Sequence, residues 1–287
     1  MSSKIYFENN SRNILRYIIF ALSEAYRFIY PAGAKKHLRR ILLTPQSRPA
    51  ATIPTTIDSE TIDTDYGLLT TYSIGQGPII LFIHGWSGSG SQFFTMMETV
   101  ASMGYRAITF DHYRHGHSKG KENNYPLFVK AIQFMVDRCK QDGEIVCVVS
   151  HSMGSSATLD VFKHINTPHF LIAPLFNFYE ELETRVTNVG ISKNFFEQIV
   201  YGIEADYKIP IKDTNPIHDI SHINQPIQIV HSVDDKFALY HHSENVTQKN
   251  SNIELETLRD IGHMRIVGAP ETEKALVTFL TSRINTL

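Results

Sequence analysis

Nucleophilic catalysis needs a hydroxyl or thiol held clear of its surroundings, a base within reach, and donors for the charge that develops on a carbonyl oxygen. The run Val148-Val149-Ser150-His151-Ser152-Met153-Gly154 offers the first of these. An apolar, β-rich segment from Glu144 to Val149 enters it, and Ser155-Ser156-Ala157-Thr158-Leu159-Asp160-Val161-Phe162 reads as a helix leaving it. Strand, sharp turn and helix, with serine at the turn, describe a nucleophile elbow. That geometry lifts the Ser152 hydroxyl off the carboxyl edge of a sheet and leaves the backbone N–H of Met153 free to bind an oxyanion. Ser150 is the competing hydroxyl. Taken as the nucleophile, it would put Val148 where only a small side chain fits, so Ser150 reads as turn structure.

The elbow resembles that of the serine α/β-hydrolase superfamily, which reads G-x-S-x-G, with Ser150 standing where the first glycine is usual. The resemblance implies a triad in the chain order Ser, Asp or Glu, His. Pro226 to Phe237 reads as a buried strand ending in acids and is similar to the family's strand–G-x-x-D segment, which implies Asp235 as the acid. Asp234 reads as a solvated loop acid. Ile253-Glu254-Leu255-Glu256-Thr257-Leu258 alternates as a strand should and leads to Gly262-His263, the family's position for the base. The apolar run Pro78–Ile83 ends in His84-Gly85-Trp86, similar to the family's H-G-x loop, which implies the Trp86 N–H as second oxyanion donor beside Met153. The strand Ala107–Asp111 and the loop Tyr113-Arg114-His115-Gly116-His117-Ser118 resemble a loop that shapes the wall behind the active site. His151 is implied to be packing behind the serine.

The implied activity is hydrolysis of a carboxylic ester or thioester of a small molecule through an acyl-enzyme. Two alternatives stay open: an acyltransferase with the same triad, and a non-catalytic binding protein on a degenerate hydrolase fold. No cofactor, metal or nucleic acid is expected. His112, His115 and His117 share one loop with no cysteine or paired carboxylate beside them. Gly85, Gly88 and Gly90 lack the dinucleotide spacing and the later ribose acid.

These residues need elements to carry them. Strands are predicted at Ile79–Ile83, Tyr105–Asp111, Ile145–Val149, Phe170–Ala173, Ile227–His231 and Ile253–Leu258, with helices between them and one or two antiparallel strands over Thr61–Ile74. The βαβα alternation argues for an α/β-hydrolase fold, a mainly parallel twisted sheet with helices on both faces. Between about 175 and 225 the pattern breaks into aromatic, helix-like stretches with Phe176, Phe178, Tyr179, Phe195, Phe196 and Tyr201, read as a short helical lid. Residues 51–287 are thus one hydrolase domain and residues 1–50 a separate basic arm. Cys139 and Cys147 read as buried reduced thiols, too few for a disulfide framework.

The net charge of −2 conceals an asymmetry. Nine bases (Lys4, Arg12, Arg16, Arg27, Lys35, Lys36, Arg39, Arg40, Arg48) against Glu8 and Glu24 give the first 50 residues +7 and leave −9 for the rest. Residues Asn13 to Tyr30 read as a helix whose polar positions Asn13, Arg16, Ser23, Glu24 and Arg27 occupy one arc of a 100° wheel, shared only with Phe20. The apolar remainder is wider than one-sided packing requires. Arg16, Glu24 and Arg27 rule out a conventional span, and Arg16 breaks the core a signal peptide would need. The expectation is a cytoplasmic protein whose residues 13–40 pack on its own body, form a homodimer, or make peripheral contact with a membrane.

Overall fold

A computed structural model describes residues 13–46 and 50–284. Lys4, Glu8, Arg12 and Arg48 of the charge count, and the side chain of Asn13, lie outside what is described. The chain divides into two units: residues 45–177 with 215–287, and residues 1–44 with 178–214.

The larger unit is built on a mixed sheet. Strands β1 (Asp58–Thr64) and β2 (Gly67–Ile74) form an antiparallel hairpin, so the Thr61–Ile74 region holds two strands. The remaining strands are β3 (Ile79–Ile83), β4 (Arg106–Phe110), the two-residue β5 (Lys119–Gly120), β6 (Ile145–His151), β7 (His169–Ile172), β8 (Ile227–Ser232) and β9 (Ile253–Leu258). Their order is β1-β2-β4-β3-β6-β7-β8-β9, with β5 beside β2. From β4 to β9 every neighbouring pair is parallel, and β2 meets β4 antiparallel. All five residues of β3 are buried, as a central strand covered on both faces requires.

Alternation along the strands sorts two cores onto the two faces. Ile80, Phe82, Val149, Phe170, Ile172 and Val230 face one cluster; Leu171 and Ile229 face the other with Leu159, Val246 and Ile253. The helices of this unit are α3 (Phe94–Ser102), α4 (Tyr125–Asp142), α5 (Met153–Phe162), α8 (Pro216–Ile220), α9 (Tyr240–Lys249) and α10 (Pro270–Phe279). Asn124 caps α4 by accepting from the Leu127 N–H (3.0 Å), with Pro126 in the first turn. Cys139 and Cys147 are buried free thiols, and burial pushes the Cys139 thiol up to about 12.

The smaller unit holds α1 (Asn13–Ile29), α2 (Pro31–Leu42), α6 (Phe178–Asn188) and α7 (Lys193–Tyr207). Residues 13–44 therefore share a unit with the helices of the insertion, and Arg39 pairs with Asp206 (2.5 Å). Within this unit Phe178, Tyr179, Phe195 and Phe196 are buried and Tyr201 is exposed. No helix among the described residues is long and apolar enough to cross a membrane.

Candidate active site

The parallel strands deliver their candidate residues at their carboxyl ends, where open α/β sheets place their sites. Strand β6 lies between β3 and β7, and its chain turns at Ser152, which adopts φ 55° and ψ −126°. A non-glycine residue in that region is held against roughly 1–3 kcal/mol of strain, so the surroundings must fix it. Hydrogen bonds do so on both sides: the Ser152 N–H donates to the Ile172 carbonyl (3.1 Å), and its carbonyl accepts from the Ser155 N–H (2.9 Å). Close approach explains the small residues here. A Cβ on Gly154 would lie 2.5 Å from the His84 carbonyl oxygen, and one on Gly85 would lie 2.8 Å from Ser152 Cβ. Ser150 sits in β6 opposite Ile83 and Leu171, fully buried, and its hydroxyl donates to Ser155 Oγ (3.1 Å).

Three candidates come together in one chain of hydrogen bonds. Asp235 follows β8 and His263 follows β9. His263 Nδ1 donates to Asp235 Oδ2 (2.6 Å), and Ser152 Oγ lies 2.8 Å from His263 Nε2. A carboxylate can only accept, so the proton resides on Nδ1 and Nε2 is left to accept from the serine hydroxyl. Burial by itself would raise the Asp235 carboxyl. Hydrogen bonds from His231, His263 and the Phe237 N–H, together with the positive charge His263 carries when protonated, outweigh it and hold the group well below the usual carboxylate range. The other oxygen, Oδ1, accepts from the N–H groups of Phe237 (2.7 Å) and Ala238 (3.1 Å).

Two supports around this chain carry no local sequence signal. His231, fully buried in β8, donates through Nε2 to the Ala238 carbonyl (3.1 Å), lies 3.4 Å from Asp235 Oδ2, and meets Ser243 Oγ through Nδ1 (2.7 Å). Asp234 is more than a solvated acid: its Oδ2 accepts from the Asp260 N–H (2.7 Å), and Asp260 has a φ of 58°. That bond ties the loop leading to His263 back to the end of β8. His151 packs against His263, its Nε2 3.0 Å from the His263 carbonyl and its ring 4.9 Å from the His263 ring.

Two neutral histidines brace the loop after β3 on either side of Trp86. His84 is fully buried, and burial pulls its imidazole down to about 4. It donates from Nδ1 to the Gly85 carbonyl (2.7 Å) and accepts the His112 N–H at Nε2 (3.0 Å), which fixes its tautomer. His115, pulled down to about 3 by burial and by His84, accepts the Ser87 N–H at Nε2 (3.0 Å) and donates from Nδ1 to the Tyr113 carbonyl (2.9 Å). With the Gly85 carbonyl and the Ser87 N–H both engaged, the intervening peptide is held next to a residue whose Cα abuts Ser152. Met153 opens α5, where first-turn N–H groups have no partner within the helix.

The histidine-rich loop is absorbed in other roles. His112 stacks on Phe128 (3.6 Å between ring centroids), and His117 lies 2.9 Å from the Tyr72 hydroxyl through Nδ1. Asp111 holds this loop by accepting from the N–H groups of Gly90 (2.7 Å) and His117 (2.8 Å) and from the Tyr72 hydroxyl (2.6 Å).

A mixed sheet of this order, with a serine elbow at its centre, defines the alpha/beta hydrolase fold. Residues 78–159 match the family described as alpha/beta hydrolase fold. The chain is 25% identical over 173 residues to the lysophosphatidylserine lipase ABHD12 of Rattus norvegicus, covering 57% of this chain and 43% of that protein. It is 35% identical over 80 residues to the non-heme chloroperoxidase CPO-A1 of Kitasatospora aureofaciens, 28% of this chain and 29% of that one. The chain thus spans less than half the length of these relatives. Among solved structures it is similar to Est1E from Butyrivibrio proteoclasticus with ferulic acid bound (TM-score 0.63, 17% identity, 79% of this chain and 99% of that one). It is likewise similar to the Pyrococcus furiosus esterase Pf2001 (TM-score 0.62, 17% identity, 84% and 100%). The chain has the alpha/beta hydrolase fold, and its residues 78–159 match the family of that name.

Proposed function

We propose that the protein is a serine hydrolase cleaving a carboxylic ester or thioester through an acyl-enzyme. Ser152 Oγ attacks the carbonyl carbon as His263 Nε2 takes its proton, and Asp235 keeps the imidazole oriented and stabilises its charged form. The N–H groups of Trp86 and Met153 hold the oxyanion. His263 then returns the proton to the leaving alcohol or thiol as the carbonyl re-forms. Water repeats the cycle: it loses a proton to His263, attacks the acyl carbon and releases Ser152.

One observation carries this reading: the continuous relay from Asp235 Oδ2 through His263 to Ser152 Oγ, with both links under 3 Å and the serine in the strained turn. The similarity to a lipase and to esterases supports an ester as the scissile group. A panel of p-nitrophenyl esters of increasing chain length beside acyl thioesters tests the proposal. Turnover of at least one series, abolished by Ser152→Ala and by His263→Ala and lost little further in the double variant, is the expected result, because triad members act as a unit. Undiminished turnover in either single variant contradicts it. Added alcohol acceptors separate hydrolysis from acyl transfer by product.

A further inference from the structure

Helix α1 presents its polar side to its own unit and its apolar side outward. Glu24 accepts a hydrogen bond from Ser192 Oγ (2.6 Å) and pairs with Arg27, whose guanidinium lies over the Phe195 ring (5.8 Å to the centroid). Gly190 touches the same side with φ 102°; a Cβ there would meet the Arg16 carbonyl oxygen at 2.4 Å. The part-buried side chains of α1 are Ser23, Glu24 and Arg27 of the polar arc, with Ile19 beside them. Tyr17, Phe28, Ile14, Ile18, Ile29 and Leu22 spread over the opposite half of the wheel, and all are exposed: Phe28 by 89%, Ile29 by 78%, Ile14 by 77% and Tyr17 by 72%. Single exposed apolar side chains are ordinary, but a contiguous half-helix of them marks a surface that something covers.

The charge of α2, which directly follows α1 and packs against it, selects the covering partner. Residues 13–44 carry six bases against Glu24 alone, and Glu24 is engaged by Arg27 and Ser192. Lys35, Lys36 and Arg40 on α2 are exposed, and α2 contains no acid. A symmetric contact through α1 and α2 would bring together two surfaces that each carry six bases and one acid, with no anionic partner for the cations. An anionic lipid surface attracts them while accepting the apolar side chains. With 17 residues and with Arg16, Glu24 and Arg27 along it, α1 is too short and too charged to cross a bilayer, so it would lie along the surface. Tyr17, Tyr26 and Tyr30 fit that layer, where an amphipathic ring sits at headgroup level. We propose that α1 and α2 form an interfacial docking surface for an anionic bilayer, with the apolar arc of α1 among the acyl chains and Lys35, Lys36 and Arg40 at the headgroups. The proposal holds whatever chemistry Ser152 performs.

Flotation of the full chain tests it, with vesicles of phosphatidylcholine alone or mixed with phosphatidylglycerol, at low and high salt. The full chain is expected to float with the anionic vesicles in a salt-sensitive way. Paired Ile18→Asp and Phe28→Asp lie on the exposed face, so the melting temperature by circular dichroism should hold while partitioning drops at least tenfold. Lys35→Gln, Lys36→Gln and Arg40→Gln together should lower partitioning into anionic vesicles about a hundredfold, about fivefold per charge, and remove the salt dependence. Three results overturn the proposal: no flotation with either vesicle, flotation indifferent to lipid charge and salt, or flotation that survives the paired aspartates. A dimer that the aspartates dissociate, in a chain that ignores vesicles, assigns the face to a second copy instead.

Discussion

Replacing Gly85 with alanine adds one methyl group at the point where the loop after β3 meets the elbow. The backbone of Gly85 is not in the left-handed region, so alanine brings no conformational penalty and the effect is steric. The new Cβ would lie 2.8 Å from Ser152 Cβ and 2.9 Å from the His151 carbonyl oxygen, where ordinary contact begins near 3.4 Å. Something must therefore retreat, by about 0.6 Å if ordinary contact is to be restored. The loop resists through the bonds of His84 to the Gly85 carbonyl and of His115 to the Ser87 N–H; the serine resists through its bond to Ile172. In the proposed mechanism either movement shifts the Trp86 amide relative to Ser152 Oγ. Losing one oxyanion donor lowers kcat by about 10²–10³, and a misplacement approaching 1 Å lowers rate by about 10². A fall in kcat of about 10² is expected for Gly85→Ala, with KM changed less than about threefold because the loss falls on the transition state. Initial rates on a p-nitrophenyl ester measure it, with a circular dichroism melt to establish that the variant is folded. Gly268→Ala, which would meet nothing within 4 Å, is the matched control and should be silent. A folded Gly85→Ala enzyme retaining kcat within about threefold of the parent refutes the packing argument.

Asp235→Asn should lower kcat by about 10³–10⁴ through the wrong imidazole tautomer, whereas Asp234→Asn keeps an acceptor for the Asp260 N–H and should stay within about threefold; equal losses would reverse the assignment. Ser150→Gly removes a hydroxyl that donates to Ser155 Oγ and relieves the crowded turn, so ester turnover should be unchanged or higher; a tenfold loss would give Ser150 a direct role. Acid should destabilise the fold between pH 6.5 and 4, measured as a falling urea midpoint. His84 stays neutral in the fold down to about 4 while an unfolded imidazole takes a proton near 6.5, so the unfolded state binds more protons in that window, worth on the order of 3 kcal/mol for this residue alone. His169, buried in β7 and pulled down to about 3, adds to the slope, so His169→Leu should flatten it; a midpoint constant from pH 7 to 4 would contradict the burial account.

Much of this architecture is legible from local pattern. The strand from Ile79 to Ile83 begins and ends where an unbroken apolar run does, because a strand covered on both faces needs no polar alternation. The turn at Ser152 can be read because strand, small residues and helix are contiguous in sequence. What pattern does not disclose depends on distant partners. The role of Asp234 requires Asp260, 26 residues away, and the bracing of the loop around Trp86 requires His115, 28 residues from Ser87. His231 reads as one residue in a buried strand until its neighbours Ala238 and Ser243 fold over it. The helix α2 is announced by Pro31 at its first position, but the basic run masks it because charge says nothing of conformation. Most misleading is α1. A helical wheel gives its two faces correctly, yet the usual rule that the apolar face turns inward fails, because Ser192 and Phe195 take its polar side.

The central claim is that Ser152 is the residue that becomes acylated. Treating the full chain with a fluorophosphonate probe, then measuring intact mass and mapping the labelled peptide, tests this without any knowledge of the physiological substrate. One adduct per chain on Ser152, absent from Ser152→Ala and slowed strongly in His263→Ala, is the predicted result. An adduct on Ser150 or elsewhere, or an enzyme that hydrolyses esters while Ser152 remains unlabelled, would contradict it.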